Sequence, residues 1–308
     1  MSLHPQVAAL LERVARSPLP LYHTVPPFVA RRIYRDTRAV LSPAPPQLVE
    51  IRLHITPEKI SVRAYRPVLN ETLPALVFFH GGGWTIGDLD THDVVCRQLA
   101  IGARCVVFSV DYRLAPESPF PAAVEDCVSA TRYVLRNSHS FNIDPARIAV
   151  GGDSAGGNLA AVVALAMRGE GIAFQLLIYP ATDQRCEFSS HRRNGTGYLL
   201  TSAGIEYFRG CYLPNRRDWT DWRASPLLAA DHSNLPPAFV LTAGYDPLVD
   251  EGRAYADALA KAGVDVAYRD YADMVHGFVL FGGMIDGANA ALAECCEQLR
   301  SAFERVAA

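Results

Sequence analysis

The stretch that most constrains this chain is Ile148-Ala149-Val150-Gly151-Gly152-Asp153-Ser154-Ala155-Gly156-Gly157-Asn158-Leu159. An apolar, β-prone run stops at Gly151. Gly152 to Gly156 then fits the pattern Gly-x-Ser-x-Gly, and Leu159, Val162, Val163 and Leu165-Ala166 follow at helical spacing. The local order is strand, tight turn, helix. Such a turn holds its serine on a strained backbone. Glycines on either side let neighbouring main chain pass without meeting a Cβ. The serine oxygen is left exposed, and the N–H of Ala155 is aimed at whatever that oxygen meets. The bland reading is a glycine-rich turn ahead of a helix, with Ser154 an ordinary polar residue. The rest of the chain argues against it.

Two segments alternate apolar and polar residues, Leu48 to Ile55 and Ile60 to Tyr65, as half-exposed antiparallel strands do, with a turn at Pro57-Glu58-Lys59. Later runs are continuously apolar, as strands buried on both faces are. They are Ala75 to Phe79, Cys105 to Val110, Ile148 to Val150, Leu176 to Tyr179 and Phe239 to Leu241. Helical patterns lie between them at about 91–102, 119–137, 155–168 and 250–262. Val264 to Tyr271 adds a strand and Ala288 to Val306 a last helix. This alternation predicts an α/β fold with a mostly parallel, eight-stranded sheet, helices on both faces and right-handed crossovers.

Two segments stand outside the alternation. In residues 1–45, Val7, Leu10, Leu11 and Val14 fall at helical spacing, prolines at 18, 20, 26 and 27 interrupt regular structure beyond them, and Phe28 to Tyr34 reads as a short helix. Between Pro180 and Pro236 no strand pattern appears, but arginines and aromatics are frequent. An insertion of that length above the strand ends reads as a lid. The expected organisation is an N-terminal cap segment at 1–45 and an α/β domain at 46–308, with a cap insertion at about 183–225.

A net charge of −3 over 308 residues gives no reason to expect nucleic acid or an acidic membrane as partner. No apolar run is long enough to span a bilayer, so no stable membrane insertion is expected. Val7 to Leu11 is apolar, but Glu12 and Arg13 interrupt it and no basic region precedes it, so a secretory signal is not expected and the default location is cytoplasmic. Seven scattered cysteines with no C-x-x-C pair point to reduced, mostly buried thiols rather than disulfides or a metal site.

A serine hydroxyl is a weak nucleophile. It needs a base within hydrogen-bond reach, and that base needs a third group to orient it. Asp246 follows the strand-like run 239–245 and is the candidate acid; alternatively it starts the next helix, a role Asp250 could take instead, and Asp250 is the runner-up for the acid role. His276, just past the strand ending at Tyr271, is the candidate base. Of nine histidines, it alone is both downstream of Asp246 and on a loop after a strand. His80-Gly81-Gly82-Gly83-Trp84 follows the strand at 75–79, and its glycines free backbone N–H groups to face developing negative charge. A phosphate-cradling loop is the weaker reading, because no Lys-Ser/Thr follows. His80 reads as a structural residue of this loop. Trp84 either lines a pocket or packs under a cap.

Taken together, His80 to Trp84, Asp111-Tyr112-Arg113-Leu114-Ala115-Pro116-Glu117, Gly152 to Gly157, Asp246-Pro247-Leu248 with Asp250-Glu251, and His276-Gly277-Phe278 resemble the bacterial hormone-sensitive-lipase-like esterases, also called family IV. The resemblance runs from about residue 48 to the C-terminus and implies an α/β-hydrolase fold with a helical cap. It implies Ser154 as nucleophile, His276 as base, Asp246 as its partner, and Gly82, Gly83 and Ala155 as oxyanion donors, and it leaves Gly81 open. It makes 111–117 a structural loop beside the turn. The implied activity is hydrolysis of small-molecule esters of short to medium acyl chains, with no cofactor and no metal, in a possible homodimer. Two rivals are a non-catalytic small-molecule receptor on the same fold and an amide or carbamate hydrolase using the same site.

Overall fold

A computed structural model describes residues 2–307. Eight strands form one sheet: β1 (Glu50–Ile55), β2 (Ser61–Arg66), β3 (Leu73–Phe79), β4 (Val106–Asp111), β5 (Ile143–Asp153), β6 (Ile172–Ile178), β7 (Ala238–Tyr245) and β8 (Val266–Val275). Their spatial order is β1-β2-β4-β3-β5-β6-β7-β8. Only the β1–β2 and β2–β4 pairs are antiparallel; every other neighbour runs parallel. This is the mostly parallel, eight-stranded sheet the alternation predicts.

The side-chain period of two divides the sheet's apolar residues between two cores. On β3, Ala75, Val77 and Phe79 belong to one core and Leu76 and Phe78 to the other. The first core lies under α4 (Ala122–Arg136), α5 (Ala155–Ala166) and α8 (Val249–Lys261), and the second under α3 (Asp93–Ala103) and α9 (Asp286–Ala307). Each fully buried Phe or Leu contributes about 1.5–3 kcal/mol. Phe78→Ala would leave a cavity between sheet and helices and cost about 3–5 kcal/mol.

Strand bounds exceed the apolar runs where pairing continues past them. The Ile148 to Val150 run extends to Asp153 because Gly151 and Gly152 still pair with Phe78 and Phe79. The strand expected to stop at Tyr271 continues to Val275, which pairs with Tyr245 after a register shift. The C-terminal ends of β3, β5, β7 and β8 thus lie along one rim of the sheet.

The N-terminal segment folds as α1 (Pro5–Ala15) and α2 (Pro27–Leu41). The second helix is longer than the Phe28 to Tyr34 expected, because Ala30, Tyr34, Arg38 and Leu41 keep one face buried through an otherwise charged stretch. The insertion holds α6 (Ser189–Arg193), α7 (Ser202–Tyr212) and two 3₁₀ turns, with no strand, as its sequence pattern predicts. No helix among the described residues is long and apolar enough to cross a membrane.

Candidate active site

Ser154 occupies the single residue between the end of β5 and the start of α5, with φ 57° and ψ −117°. A side chain in this region costs about 1–3 kcal/mol and persists only where the surroundings enforce it. Here the backbone is pinned on both sides. Ser154 N–H donates to Ile178 O at 2.9 Å, and Ser154 O accepts from Asn158 N at 3.0 Å and Ala181 N at 3.3 Å. Gly156 is required for a different reason: a Cβ there would sit 1.9 Å from the Phe79 carbonyl oxygen.

The rim assembles three distant side chains. His276, the first residue after β8, has Nε2 at 2.8 Å from Ser154 Oγ and Nδ1 at 2.6 Å from Asp246 Oδ2. With a carboxylate accepting at Nδ1, the proton resides there and the Nε2 lone pair faces the serine hydroxyl. Asp246 is fully buried, and its second oxygen accepts from Leu248 N–H at 2.8 Å. The two readings of Asp246 therefore describe one residue: one oxygen shapes the entry to α8 and the other orients the imidazole. Asp250 lies elsewhere, binding Ser190 N–H and the Arg193 guanidinium of α6, each at 2.9 Å.

The glycine loop after β3 divides its amides. Gly81 N–H donates to Asp153 Oδ1 at 2.9 Å and is spent on structure. The amides of Gly82 and Gly83 meet no acceptor among the described residues. Gly82 holds φ 123°, and a Cβ there would fall 2.1 Å from Ile86 O. Ala155 is the first residue of α5, where amides have no partner within the helix. Three uncommitted N–H groups thus sit on the two turns beside Ser154.

Several side chains fix this loop. Burial alone would raise the Asp153 carboxyl, but the charge and hydrogen bond of His92, at 3.1 Å, and the Gly81 amide hold it below the usual range. His80 is sealed and stacks on Tyr112 with ring centroids 4.3 Å apart; burial drives its pKa down to about 4. The 111–117 segment braces the glycine loop: Tyr112 Oη donates to His80 O at 2.7 Å and Ala115 N–H to Trp84 O at 2.8 Å. Trp84 does both things the sequence leaves open. It lines the cavity at Ser154, and its ring stacks on Tyr212 of α7 at 4.6 Å.

Sequence reasoning misses four groups. His92 binds Asp153, Asn194 Nδ2 donates to Asp246 O at 2.9 Å, Tyr179 packs its ring 4.8 Å from that of His276, and Arg38 lines the cavity. The first three sit in no motif, and nothing in their spacing announces them. Arg38 has a readable signal, a lone charge on the buried stripe of α2.

The cavity above Ser154 encloses about 390 Å³ and is walled by α1, α2, the glycine loop and the insertion. It can admit a small, largely apolar molecule and present it to one hydroxyl, one imidazole and three free amides. Among the described residues no group of three or more His, Cys, Asp or Glu side chains could hold a metal ion.

Residues 76–280 match a family model described as the alpha/beta hydrolase fold. The chain is 45% identical over 259 residues to the carboxylic ester hydrolase LipN of Mycobacterium tuberculosis, covering 80% of this chain and 68% of that one. It is 38% identical to an ethyl acetate hydrolase of Pseudomonas putida, covering 97% and 99%. Among solved structures, a serine-to-alanine variant of LAE6, an alpha/beta hydrolase enzyme from the metagenome of Lake Arreo, superposes with a TM-score of 0.93 at 44% identity, covering 98% of this chain and 99% of that one. The thermostable carboxylesterase EstE1, from a metagenomic library, gives a TM-score of 0.87 at 39% identity, covering 91% and 98%.

Proposed function

The chain belongs to the bacterial hormone-sensitive-lipase-like carboxylesterases of the alpha/beta hydrolase fold, and from this premise we propose which of its groups hydrolyse the ester and how. Ser154 is the nucleophile, His276 the general base and Asp246 the group that orients it. Gly82, Gly83 and Ala155 form the oxyanion hole. Residues 1–45 and about 183–225 form the cap, and the cavity beneath it takes esters of short to medium acyl chains.

The observation that carries this reading is the continuous chain from Ser154 Oγ through His276 to buried Asp246, with links of 2.8 and 2.6 Å. In the first half-reaction His276 Nε2 takes the serine proton as Oγ attacks the ester carbonyl. The carbonyl oxygen becomes an oxyanion facing the three free amides. Collapse breaks the bond to the alcohol, which leaves with the proton from Nε2. Water then enters and His276 deprotonates it in turn. Attack on the acyl-serine and collapse release the carboxylic acid, and Ser154 recovers its proton. Throughout, Asp246 stabilises the imidazolium without becoming protonated.

Ser154→Ala tests the assignment. Alanine fits the same backbone, so the variant folds with an unchanged melting temperature, while kcat on a small chromogenic ester drops by about 10⁴-fold or more. Wild-type turnover in the folded variant would remove Ser154 from the reaction.

A further inference from the structure

One face of α2 walls the cavity that reaches Ser154. Ile33, Tyr34, Thr37, Arg38 and Leu41 line it, at the spacing of a single helical stripe. Arg38 is the anomaly. It is only 8% exposed, yet its Nε and Nη1 are sealed without a hydrogen-bond partner and no carboxylate among the described residues pairs with it. Two aromatic rings flank the guanidinium, Tyr34 at 4.8 Å and Phe281 at 4.2 Å from its carbon. Rings satisfy the faces of a guanidinium, not its in-plane N–H groups.

The same molecule shows what a ring-stacked arginine does when its partners are built in. Arg209 stacks on Trp219 at 3.9 Å and still donates to Gln184 O at 2.8 Å. The acids that line the cavity are likewise provided for: Asp153 by His92, Asp183 by Arg185 and Glu251 by His191. Arg38 therefore stands as the one cavity-lining cation among the described residues with no anion of its own. With Nε and Nη1 sealed, Nη2 is the guanidinium nitrogen left to meet a ligand, and a carboxylate oxygen is the acceptor a charged N–H favours most.

We propose that Arg38 is a recognition residue for esters that carry a second, ionised carboxylate. This deepens the carboxylesterase reading and rests on it. The carboxylate can come from the acyl side, as in a monoester of a dicarboxylic acid, or from the alcohol side, as in an acylated hydroxy acid. In both, the Arg38 contact fixes the substrate's far end while Ser154 meets the ester carbonyl.

The experiment measures kcat/KM by titrating released acid, for two matched pairs: monoethyl glutarate against ethyl pentanoate, and 4-acetoxybutanoate against butyl acetate. In the wild type at least one carboxylate-bearing ester is favoured over its neutral match, and the pair that shows it identifies the side. In Arg38→Met that ratio falls by about tenfold or more, mainly through KM, and Arg38→Lys loses less. A wild-type measurement guards against a misfolded variant: glutarate inhibits competitively and more strongly than butyrate. Hydrolysis of the neutral esters with both carboxylate-bearing ones rejected, or ratios unchanged in both variants, overturns the role of Arg38 and leaves the esterase reading intact. Failure of the wild type to hydrolyse any of the four esters would sink both.

Discussion

The rim around Ser154 and the helical wall of the cavity are built by different means. At the rim, main chain does most of the positioning. The serine turn is held by Ile178 O and Ala181 N–H, Gly82 and Gly156 leave no room for a Cβ, and the free donors are backbone amides. In the wall, side chains do the work. Trp84 stacks on Tyr212, Arg38 lies against Tyr34 and Phe281, and a buried His191–Glu251 pair joins α6 to α8. Backbone geometry of the first kind restricts residue identity to glycine at fixed spacing. Side-chain packing of the second kind accepts many residue combinations. The rim is thus suited to a reaction common to all esters, and the wall to choosing among them.

The largest expected effect strikes the rim. Asp246→Asn keeps the shape of the site but offers His276 Nδ1 an amide in place of a carboxylate. The imidazole can then turn its proton toward Ser154, and the forming imidazolium loses its counter-charge. The kcat is expected to fall by about 10³–10⁴-fold with little change in KM. A fall of less than tenfold would mean that the 2.6 Å contact orients nothing.

This division also explains what the sequence reveals. The fold is legible because buried parallel strands are continuously apolar, as at 75–79 and 239–241. The proposed site is legible because Gly82, Gly152 and Gly156 are demanded by main chain at close quarters, and because Ser154, Asp246 and His276 each follow a strand. The wall is not legible in the same way. Asn194 reaches Asp246 O across 52 positions, and His191 meets Glu251 across 60. No local pattern encodes such pairs, since each depends on how the insertion lies on the body. The full length of α2 is hidden for a related reason: the charged pair Arg35-Asp36 follows Tyr34 on the exposed face, and Arg38 alone interrupts the apolar stripe, although it stays buried against two rings.

A second rim variant sharpens the comparison at lower cost to activity. Gly82→Ala puts a Cβ where Ile86 O stands and forces a φ of 123° on a residue that resists it. The loop has to move, and the Gly82 and Gly83 amides move with it. Loss of one oxyanion donor costs about 10²–10³-fold in kcat. Retained kcat in a folded Gly82→Ala protein would show that these amides do not face the oxyanion.

The smallest effect on turnover, and the sharpest test of the wall, concerns His191. Burial drives both members of its pair toward neutrality and raises the Glu251 carboxyl. On the His191 side, hydrogen bonds to Cys186 and Glu251 and the Glu251 charge outweigh burial and raise its pKa to about 10. The ionised pair is the form the geometry favours, because Glu251 also accepts from Thr182 N–H at 2.7 Å and Asp183 N–H at 3.3 Å. A histidine whose folded pKa is raised contributes stability that is complete below its unfolded value, about 6.5, and that is lost as pH climbs through the folded value. Melting temperature should therefore decline from neutral pH toward 10 in the wild type. In His191→Gln, which keeps a hydrogen bond without the charge, the protein is less stable at neutral pH and the decline is shallower. Two parallel curves would show that the pair carries no charge in the folded protein, and that the insertion is held to α8 by packing and by the Asp250 contacts instead.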